Sequence, residues 1–266
     1  MSFVKNNAYT RKRNLFDPES KTPFRLSRSK IENFIKCPRC FYLDRRLGIG
    51  QPSMPAFTLN TAVDELLKKE FDRYRALRKP HPLMERFGID AIPFAHPLLK
   101  EWQENFKGVQ HHHKETNFII TGAIDDLWQA SSQELFVVDY KSTSTREIID
   151  LDSEYKISYK RQMEIYQWLL RHEGFKVSSI GYFVYCNANK DKDAFDGHLI
   201  FDLEIISYQG DDSWIDGMVA KARECLCLEC IPDYTKECEY CQYYQAIEKA
   251  GEDHLVLPEK QGEFLF

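Results

Sequence analysis

The chain has 266 residues, of which 43% are hydrophobic and 29% are charged, and it contains 18 Phe and 14 Tyr. This composition excludes a disordered chain and provides enough apolar material for the core of one elaborated domain. The net charge of -5 argues mildly against a passive nucleic-acid-binding protein, which normally presents a basic surface. Basic residues nevertheless cluster locally, at residues 11–13 and 25–30.

Membrane insertion and secretion are not expected from the sequence. No apolar segment approaches the roughly 18 residues of a membrane-spanning helix, and residues 1–14 lack the apolar centre of a signal peptide. We therefore expect a cytoplasmic protein. In that reducing compartment the eight cysteines are expected to be metal ligands, reactive groups or core residues rather than disulfides.

The first elements in chain order are an arm and two helices. Residues 1–24 are polar and basic without periodicity, which predicts a flexible arm or a strap on the core. Ser29 and Glu32 have the spacing of a capping box, and the apolar positions after them predict a short helix that ends at Cys37. An amphipathic helix of about five turns is predicted over residues 58–77.

The middle and the end of the chain alternate between strand and helix patterns. Residues 116–130 and 134–142 are rich in β-branched and aromatic residues and are separated by a polar turn, which predicts a β-hairpin. The other predicted elements are an irregular insertion over 79–97, a short helix over 98–106, a helix over 158–172, strands over 179–187 and 198–206, and a helix over 212–228.

Two carboxylates and a lysine converge in the predicted hairpin. Side chains alternate along a strand, so Asp139 and Lys141 share a face, and strand pairing can bring Asp125 beside Asp139. A divalent cation on such oxygen ligands supplies what phosphodiester hydrolysis needs, a polarised phosphoryl oxygen and a nucleophilic water. Lys141 has the charge to position that water or to stabilise the transition state. The alternative is a surface ion pair, but Asp139 follows an apolar run, where a charge without a function is costly.

The helix predicted after this strand carries two further polar residues. Gln162 and Tyr166 are four residues apart and therefore lie on one helix face. There they have the groups to hydrogen-bond a phosphate or to orient Lys141. Taken alone, the pair fits a solvated helix face equally well.

The cysteines include two C-x-x-C pairs, Cys37 with Cys40 and Cys238 with Cys241. This spacing lets both thiolates of a pair reach one metal ion or cluster. Four thiolates complete either a tetrahedral zinc site or an iron-sulfur cluster, and a chance arrangement is the remaining alternative. The other cysteines are expected in the core, with Cys230 as a substitute ligand, and residues 111–113, all histidine, are expected in an exposed polar loop.

The ordered motifs together resemble a known family. They are Asp64, Gly122-x-x-Asp125, Asp139-Tyr140-Lys141 and Gln162-x-x-x-Tyr166. Over about residues 26–245, this series resembles the RecB-like branch of the PD-(D/E)XK nuclease superfamily, including CRISPR-associated iron-sulfur exonucleases and AddB-type helicase-nucleases. The resemblance implies an α/β fold with a restriction-endonuclease-like core, in which helices flank a central mixed sheet. A cysteine-ligated metal site would join the N- and C-terminal segments.

The same resemblance implies the roles of individual residues. Asp125 and Asp139 would bind Mg²⁺ or Mn²⁺, Lys141 would assist catalysis, and Gln162 and Tyr166 would lie beside the site. Relatives often carry a histidine where this chain has Asp64, and because Mg²⁺ prefers oxygen we expect Asp64 to be a further metal ligand. Relatives also use one early and three late cysteines. Here Cys37, Cys40, Cys238 and Cys241 would instead hold the iron-sulfur cluster, with structural zinc as the alternative.

These expectations define three segments and a function. Residues 1–24 form the arm, 25–250 the nuclease-like domain with its cysteine site, and 251–266 a C-terminal tail. The last residues, Gln261 to Phe266, loosely resemble peptides that bind the bacterial sliding clamp, although core packing or a frayed end are alternatives.

The expected function is a metal-dependent deoxyribonuclease that prefers single strands or ends, in DNA repair, recombination or defence. The alternatives are a non-catalytic nucleic-acid-binding module and a metal-cluster structural subunit of a DNA-processing complex.

Overall fold

The structure, a computed structural model, describes residues 10–52, 55–153 and 156–253. Within these residues the helices are α1 (Arg28–Lys36), α2 (Pro38–Arg46), α3 (Thr58–Leu77), α4 (Pro82–Arg86), α5 (Leu99–Trp102), α6 (Ile157–His172), α7 (Ile215–Cys227) and α8 (Glu239–Asp253). The strands of the same residues are β1 (Phe24–Ser27), β2 (Ala91–Pro93), β3 (Val109–His113), β4 (Phe118–Gly122), β5 (Asp126–Ala130), β6 (Leu135–Thr143), β7 (Ile180–Ala188) and β8 (Phe201–Gln209).

Two mixed sheets form the centre of the fold. Their strand orders are β1-β4-β3 and β2-β5-β6-β7-β8, with β1 parallel to β4 and β6 parallel to β7. Alternation along β6 gives it two buried faces: Val138 packs in a cluster with Phe71 of α3, whereas Val137 packs in a cluster with Leu169 of α6. The expected mixed α/β architecture with flanking helices is therefore confirmed, and it places α3 and α6 on opposite sides of the strand that carries Asp139.

The prediction of one strand over residues 116–130 is wrong. Two strands, β4 and β5, belong to different sheets, and residues 123–125 connect them. In this connection the backbone N–H of Ile124 donates to the carbonyl of Trp102 at 3.1 Å rather than to a neighbouring strand. The predicted hairpin exists as β5 and β6, in the register that pairs Asp126 with Val138. Asp125 therefore lies just before β5, at the point where the chain passes between sheets.

The N-terminal segment lies on the core over its described part. Thr10 forms an isolated β-bridge with Ile49, and Phe16 is buried in edge-to-face contact with Phe24 and Phe118. Residues 10–23 thus form a strap, which is the second of the two expected arrangements. Residues 1–9 and 254–266 lie outside the described residues, and so does the predicted clamp-binding peptide from Gln261 to Phe266.

Several local predictions need correction. The capping box of Ser29 and Glu32 does not form, because α1 begins after Ser27, whose side chain makes no capping hydrogen bond. The three histidines of residues 111–113 lie in strand β3, paired with β4, rather than in an exposed loop. Helix α8 was not predicted, and it continues to Asp253, past the expected start of the tail at residue 251. No helix of the described residues combines the length and apolar character needed to cross a membrane.

Candidate active site and cysteine metal centre

Asp139 and Lys141 form an ion pair in the second half of β6. Asp139 is fully buried and Lys141 is largely buried, and the Asp139 Oδ2 atom contacts the Lys141 Nζ atom. Within the described residues this oxygen has no hydrogen bond of acceptable geometry besides that ion pair. Burial raises the pKa of Asp139 to about 6, against the lowering effect of Lys141, and the charge of Asp125 raises it further. A further positive charge nearby would therefore stabilise the ionised form of Asp139.

Asp125 is fixed by contacts at both its backbone and its side chain. Gln103 donates from Nε2 to the Asp125 carbonyl at 2.7 Å, and the backbone N–H of Tyr140 donates to Asp125 Oδ2 at 2.9 Å. The carboxylate thus replaces a main-chain partner at the end of the β5–β6 pairing, which explains why the strand breaks here. Its second oxygen, Oδ1, faces helix α3 and lies 3.3 Å from the Lys68 Nζ atom.

Lys68 belongs to the candidate active site although the sequence motifs did not indicate it. Its Nζ atom lies 2.8 Å from Asp64 Oδ2 as well as 3.3 Å from Asp125 Oδ1, so it bridges two of the three predicted metal ligands. Burial lowers the pKa of Lys68, but the two carboxylates raise it more, and the net shift is upward. The available signal was its position four residues after Asp64, which puts both side chains on one face of α3.

Gln162 and Tyr166 are buried and lie beside Asp139. Gln162 donates from Nε2 to Asp139 Oδ1 at 2.7 Å and to the Tyr166 hydroxyl at 3.0 Å. Neither residue is on a solvated helix face. The Gln162 amide thus holds the carboxylate of Asp139, which in turn pairs with Lys141. Gln162 is therefore a candidate positioning residue. The Lys141 ammonium itself lies 4.6 Å from the centre of the Tyr159 ring.

Basic and aromatic side chains extend the site beyond the motifs. Arg28, in the first turn of α1, lies close enough for its charge to lower the pKa of both Asp139 and Tyr166. It belongs to the basic segment 25–30 noted in the sequence. A cavity of about 110 Å³ adjoins Lys141 and is also lined by Lys156 and Tyr159. Lys141 and Arg28 thus place positive charge near Asp139, and Lys68 places it near Asp64 and Asp125. Lys156 lines the adjoining cavity.

The three carboxylates provide the donor set of a hard divalent cation such as Mg²⁺ or Mn²⁺. The bridging Lys68 ammonium shows that the space between Asp64 and Asp125 accepts a cation. Burial and the neighbouring charge of Asp125 raise the pKa of Asp64. A cation bound nearby would therefore stabilise its ionised form. The oxygens of the three acids do not form a compact ligand group: among the described residues, the group whose ligand atoms all lie within 4.8 Å of one another consists of four cysteines.

Those four cysteines, Cys37, Cys40, Cys238 and Cys241, form one cluster that joins the two ends of the described chain. The two C-x-x-C pairs occupy equivalent local structures: Cys37 precedes α2, Cys238 precedes α8, and the second cysteine of each pair lies in the first turn of its helix. Burial raises the pKa of Cys40 to about 12. Burial also raises the pKa of Cys37, but backbone hydrogen bonds from Cys40 and Thr235 contribute to a net lowering.

The other four cysteines lie outside the cluster. Cys225 and Cys186 are buried, as expected, whereas Cys227 and Cys230 are exposed.

The cysteine cluster connects to the active site through helix α1. Cys37 ends α1, and Glu32 in the same helix forms a two-pronged ion pair with Arg161 of α6, at 2.8 and 2.9 Å. Arg161 immediately precedes Gln162, which holds Asp139. A chain of contacts therefore leads from the cysteine cluster through α1 and α6 to the candidate carboxylate Asp139.

Comparison with known proteins assigns the chain to a superfamily. The model of the PD-(D/E)XK nuclease superfamily matches residues 25–246, and the chain belongs to this superfamily. Its members are nucleases that act on nucleic acids with the help of divalent metal ions. A solved structure described as "Crystal structure of SSO0001" is 16% identical, with 89% of this chain and 87% of that chain covered and a TM-score of 0.36. No curated protein matches the chain significantly.

Proposed function

We propose that the protein is a Mg²⁺- or Mn²⁺-dependent deoxyribonuclease of the RecB-like branch, which acts on single strands or DNA ends in repair, recombination or defence. The observation that carries the proposal is the convergence of Asp125, Asp139 and Lys141 with Gln162 in one buried polar site. Burying these charges costs free energy that a purely structural role does not recover.

In the proposed reaction, water attacks the phosphorus of a phosphodiester, the bond to one ester oxygen breaks, and that oxygen takes up a proton. The products are a phosphomonoester and a hydroxyl group. Asp125, Asp139 and Asp64 would hold the cation, which supplies polarisation of the phosphate and a nucleophilic water near neutral pH. Lys141 stabilises the negative charge that builds up on the phosphoryl oxygens, because its ammonium is held at the site by Asp139. Gln162 keeps Asp139 in the required orientation.

The surroundings of the site support a nucleic-acid substrate in spite of the net charge of -5. Arg28, Lys68, Lys141 and Lys156 provide local positive charge for a phosphate backbone. Tyr159 is partly exposed and lines the cavity next to Lys141, and an accessible aromatic ring can stack on an unpaired base. Both features favour a strand whose bases are accessible, which is the basis for the preference for single strands or ends.

The test is a cleavage assay with labelled single- and double-stranded DNA in the presence of Mg²⁺ or Mn²⁺. We expect Asp139→Ala and Lys141→Ala each to reduce the rate by at least roughly 10²-fold. Asp193→Ala and Lys114→Ala remove the same charges from exposed positions and should leave the rate unchanged.

Equal cleavage by the wild type and the two active-site variants would contradict the proposal. DNA binding without any cleavage would instead support the alternative of a non-catalytic binding module. A single-stranded RNA substrate, included in the same assay, separates deoxyribonuclease from ribonuclease activity.

A further inference from the structure

The distances between the four cysteine sulfurs distinguish two kinds of metal centre. Cys40 Sγ lies 3.6 Å from the Sγ atoms of both Cys238 and Cys241, and Cys37 Sγ lies 3.8 Å from that of Cys241. All four sulfurs lie within 4.8 Å of one another. All three of these contacts join cysteines about 200 residues apart, so the distances result from the tertiary fold and not from the C-x-x-C spacing.

A single tetrahedral ion requires separations of this size. With a Zn–S bond of about 2.3 Å, the edge of the ligand tetrahedron is about 3.8 Å. In a cubane iron-sulfur cluster each thiolate binds a different iron, so the four sulfurs surround the cluster and stand roughly 6 Å or more apart. The observed separations leave room for one ion between the thiolates but not for a cubane.

We infer that Cys37, Cys40, Cys238 and Cys241 bind one structural zinc ion rather than the iron-sulfur cluster that the family resemblance implies. Soft thiolate ligands in a closed tetrahedron favour zinc, and four protein ligands leave no open position for a substrate. The ion clamps α2 to α8 and does not take part in electron transfer. This inference does not depend on nuclease activity.

Further contacts around the cysteines join the two segments that carry them, as expected for a structural metal site. Arg39, between the two N-terminal ligands, donates from Nε to the Pro232 carbonyl at 3.0 Å and stacks on the Tyr234 ring at 4.9 Å. Tyr42 of α2 donates to the Leu228 carbonyl at 3.0 Å. These contacts join the two halves of the ligand set, in which Cys37, Cys40 and Cys241 are buried and Cys238 is half-buried.

The first experiment measures the metal in full-length protein purified without oxygen and without added metal. We expect about one zinc per chain by elemental analysis, no acid-labile sulfide, and no broad absorption near roughly 400 nm. After removal of the zinc, a Co²⁺ titration should give the absorption of tetrahedral cobalt thiolate with an end point at one equivalent. About four irons with sulfide, a single iron, or no uptake of zinc or cobalt would each overturn the inference.

A pair of cysteine variants assigns the ligands. Cys238→Ser should lower the zinc content of the purified protein to less than roughly a tenth of an equivalent, because a structural site needs all four ligands. Cys230→Ser is the matched control, since Cys230 is exposed, lies eight residues earlier and is outside the cluster. Loss of zinc from the control, or its full retention in Cys238→Ser, would contradict the assignment. If Cys238→Ser does not fold, the metal analysis and the cobalt titration of the wild type still decide the question.

Discussion

Lys68 lies between two carboxylates that are candidate metal ligands. It contacts Asp64 at 2.8 Å and Asp125 at 3.3 Å, and its ammonium offsets part of the repulsion between them. A divalent cation at this position must compete with the ammonium for the same oxygens. We therefore expect Lys68 to weaken the binding of metal at the proposed site, and its charge lowers the cost of keeping the two acids close together.

Replacement of Lys68 by Ala should tighten binding of Mn²⁺ by roughly 10-fold, because the competing cation is removed and the carboxylates are left unpaired. Isothermal titration with Mn²⁺ in the absence of DNA measures the change. Lys69→Ala is the control, since Lys69 is exposed one position further along α3. Unchanged or weaker Mn²⁺ binding in Lys68→Ala would show that Lys68 does not occupy a metal position.

Helix α6 can approach strand β4 closely because β4 ends in a glycine. A Cβ atom at Gly122 would lie 2.8 Å from Tyr166 Cε1 and 2.9 Å from Leu169 Cδ1. Both side chains are buried, so neither has space to move away. The glycine of the Gly-x-x-Asp motif thus serves the packing of the helix that carries Gln162 and Tyr166.

Gly122→Ala should lower the free energy of unfolding by about 1–3 kcal/mol, since the added methyl overpacks a rigid contact. Gly217→Ala is the matched control in α7, where a Cβ meets nothing within 4 Å. It should instead raise stability by roughly 0.5–1 kcal/mol, because alanine loses less backbone entropy than glycine when a helix forms. Urea unfolding of both variants tests the opposite signs, and equal effects would contradict the packing explanation.

At the scale of the whole molecule, the buried carboxylate of Asp44 connects three N-terminal segments: the strap, α1 and α2. Asp44 of α2 pairs with Arg11 of the strap, with Lys30 of α1 at 2.9 Å, and with Arg45 at 2.7 Å. Burial raises the pKa of Asp44, but the hydrogen bonds and charges of Arg45 and Lys30 lower it more, and the net shift is downward.

A depressed pKa makes this contribution to stability depend on pH. It is fully present above the unfolded-state pKa of about 3.9 and is lost as the pH falls through the lower pKa of the folded protein. At pH 7, Asp44→Asn should lower the free energy of unfolding by about 1–3 kcal/mol, because it leaves the buried Arg45 and the half-buried Arg11 and Lys30 without their partner. Below about pH 4 the difference from the wild type should shrink.

Urea unfolding at several pH values measures this difference. Asp191→Asn, at an exposed ion pair with Arg146, is the control and should change stability by less than about 0.5 kcal/mol at any pH. A pH-independent effect of Asp44→Asn would mean that packing, rather than charge, accounts for the loss.

Part of the fold and of the candidate site was predictable because it depends on local periodicity. Helix α3 and the strands β6 and β7 have strong patterns, and their predicted bounds lie within a few residues of those observed. Helix α8 was missed although Tyr240, Tyr243 and Ile247 recur at helical spacing. These side chains are exposed, so the helix does not bury the apolar face that its sequence pattern offers. The break between β4 and β5 depends on a partner in α5, which no pattern within residues 116–130 reveals.

The sequence by itself determined which reactive groups share a face. Asp139 with Lys141 and Gln162 with Tyr166 follow from the periods of strand and helix, and each C-x-x-C pair follows from its spacing. Only the tertiary structure decided that Lys68 joins the acids and that the four sulfurs fit a single ion. The physical reason is that these contacts join segments far apart in the chain, and their distances are set by how helices and sheets pack rather than by local backbone geometry.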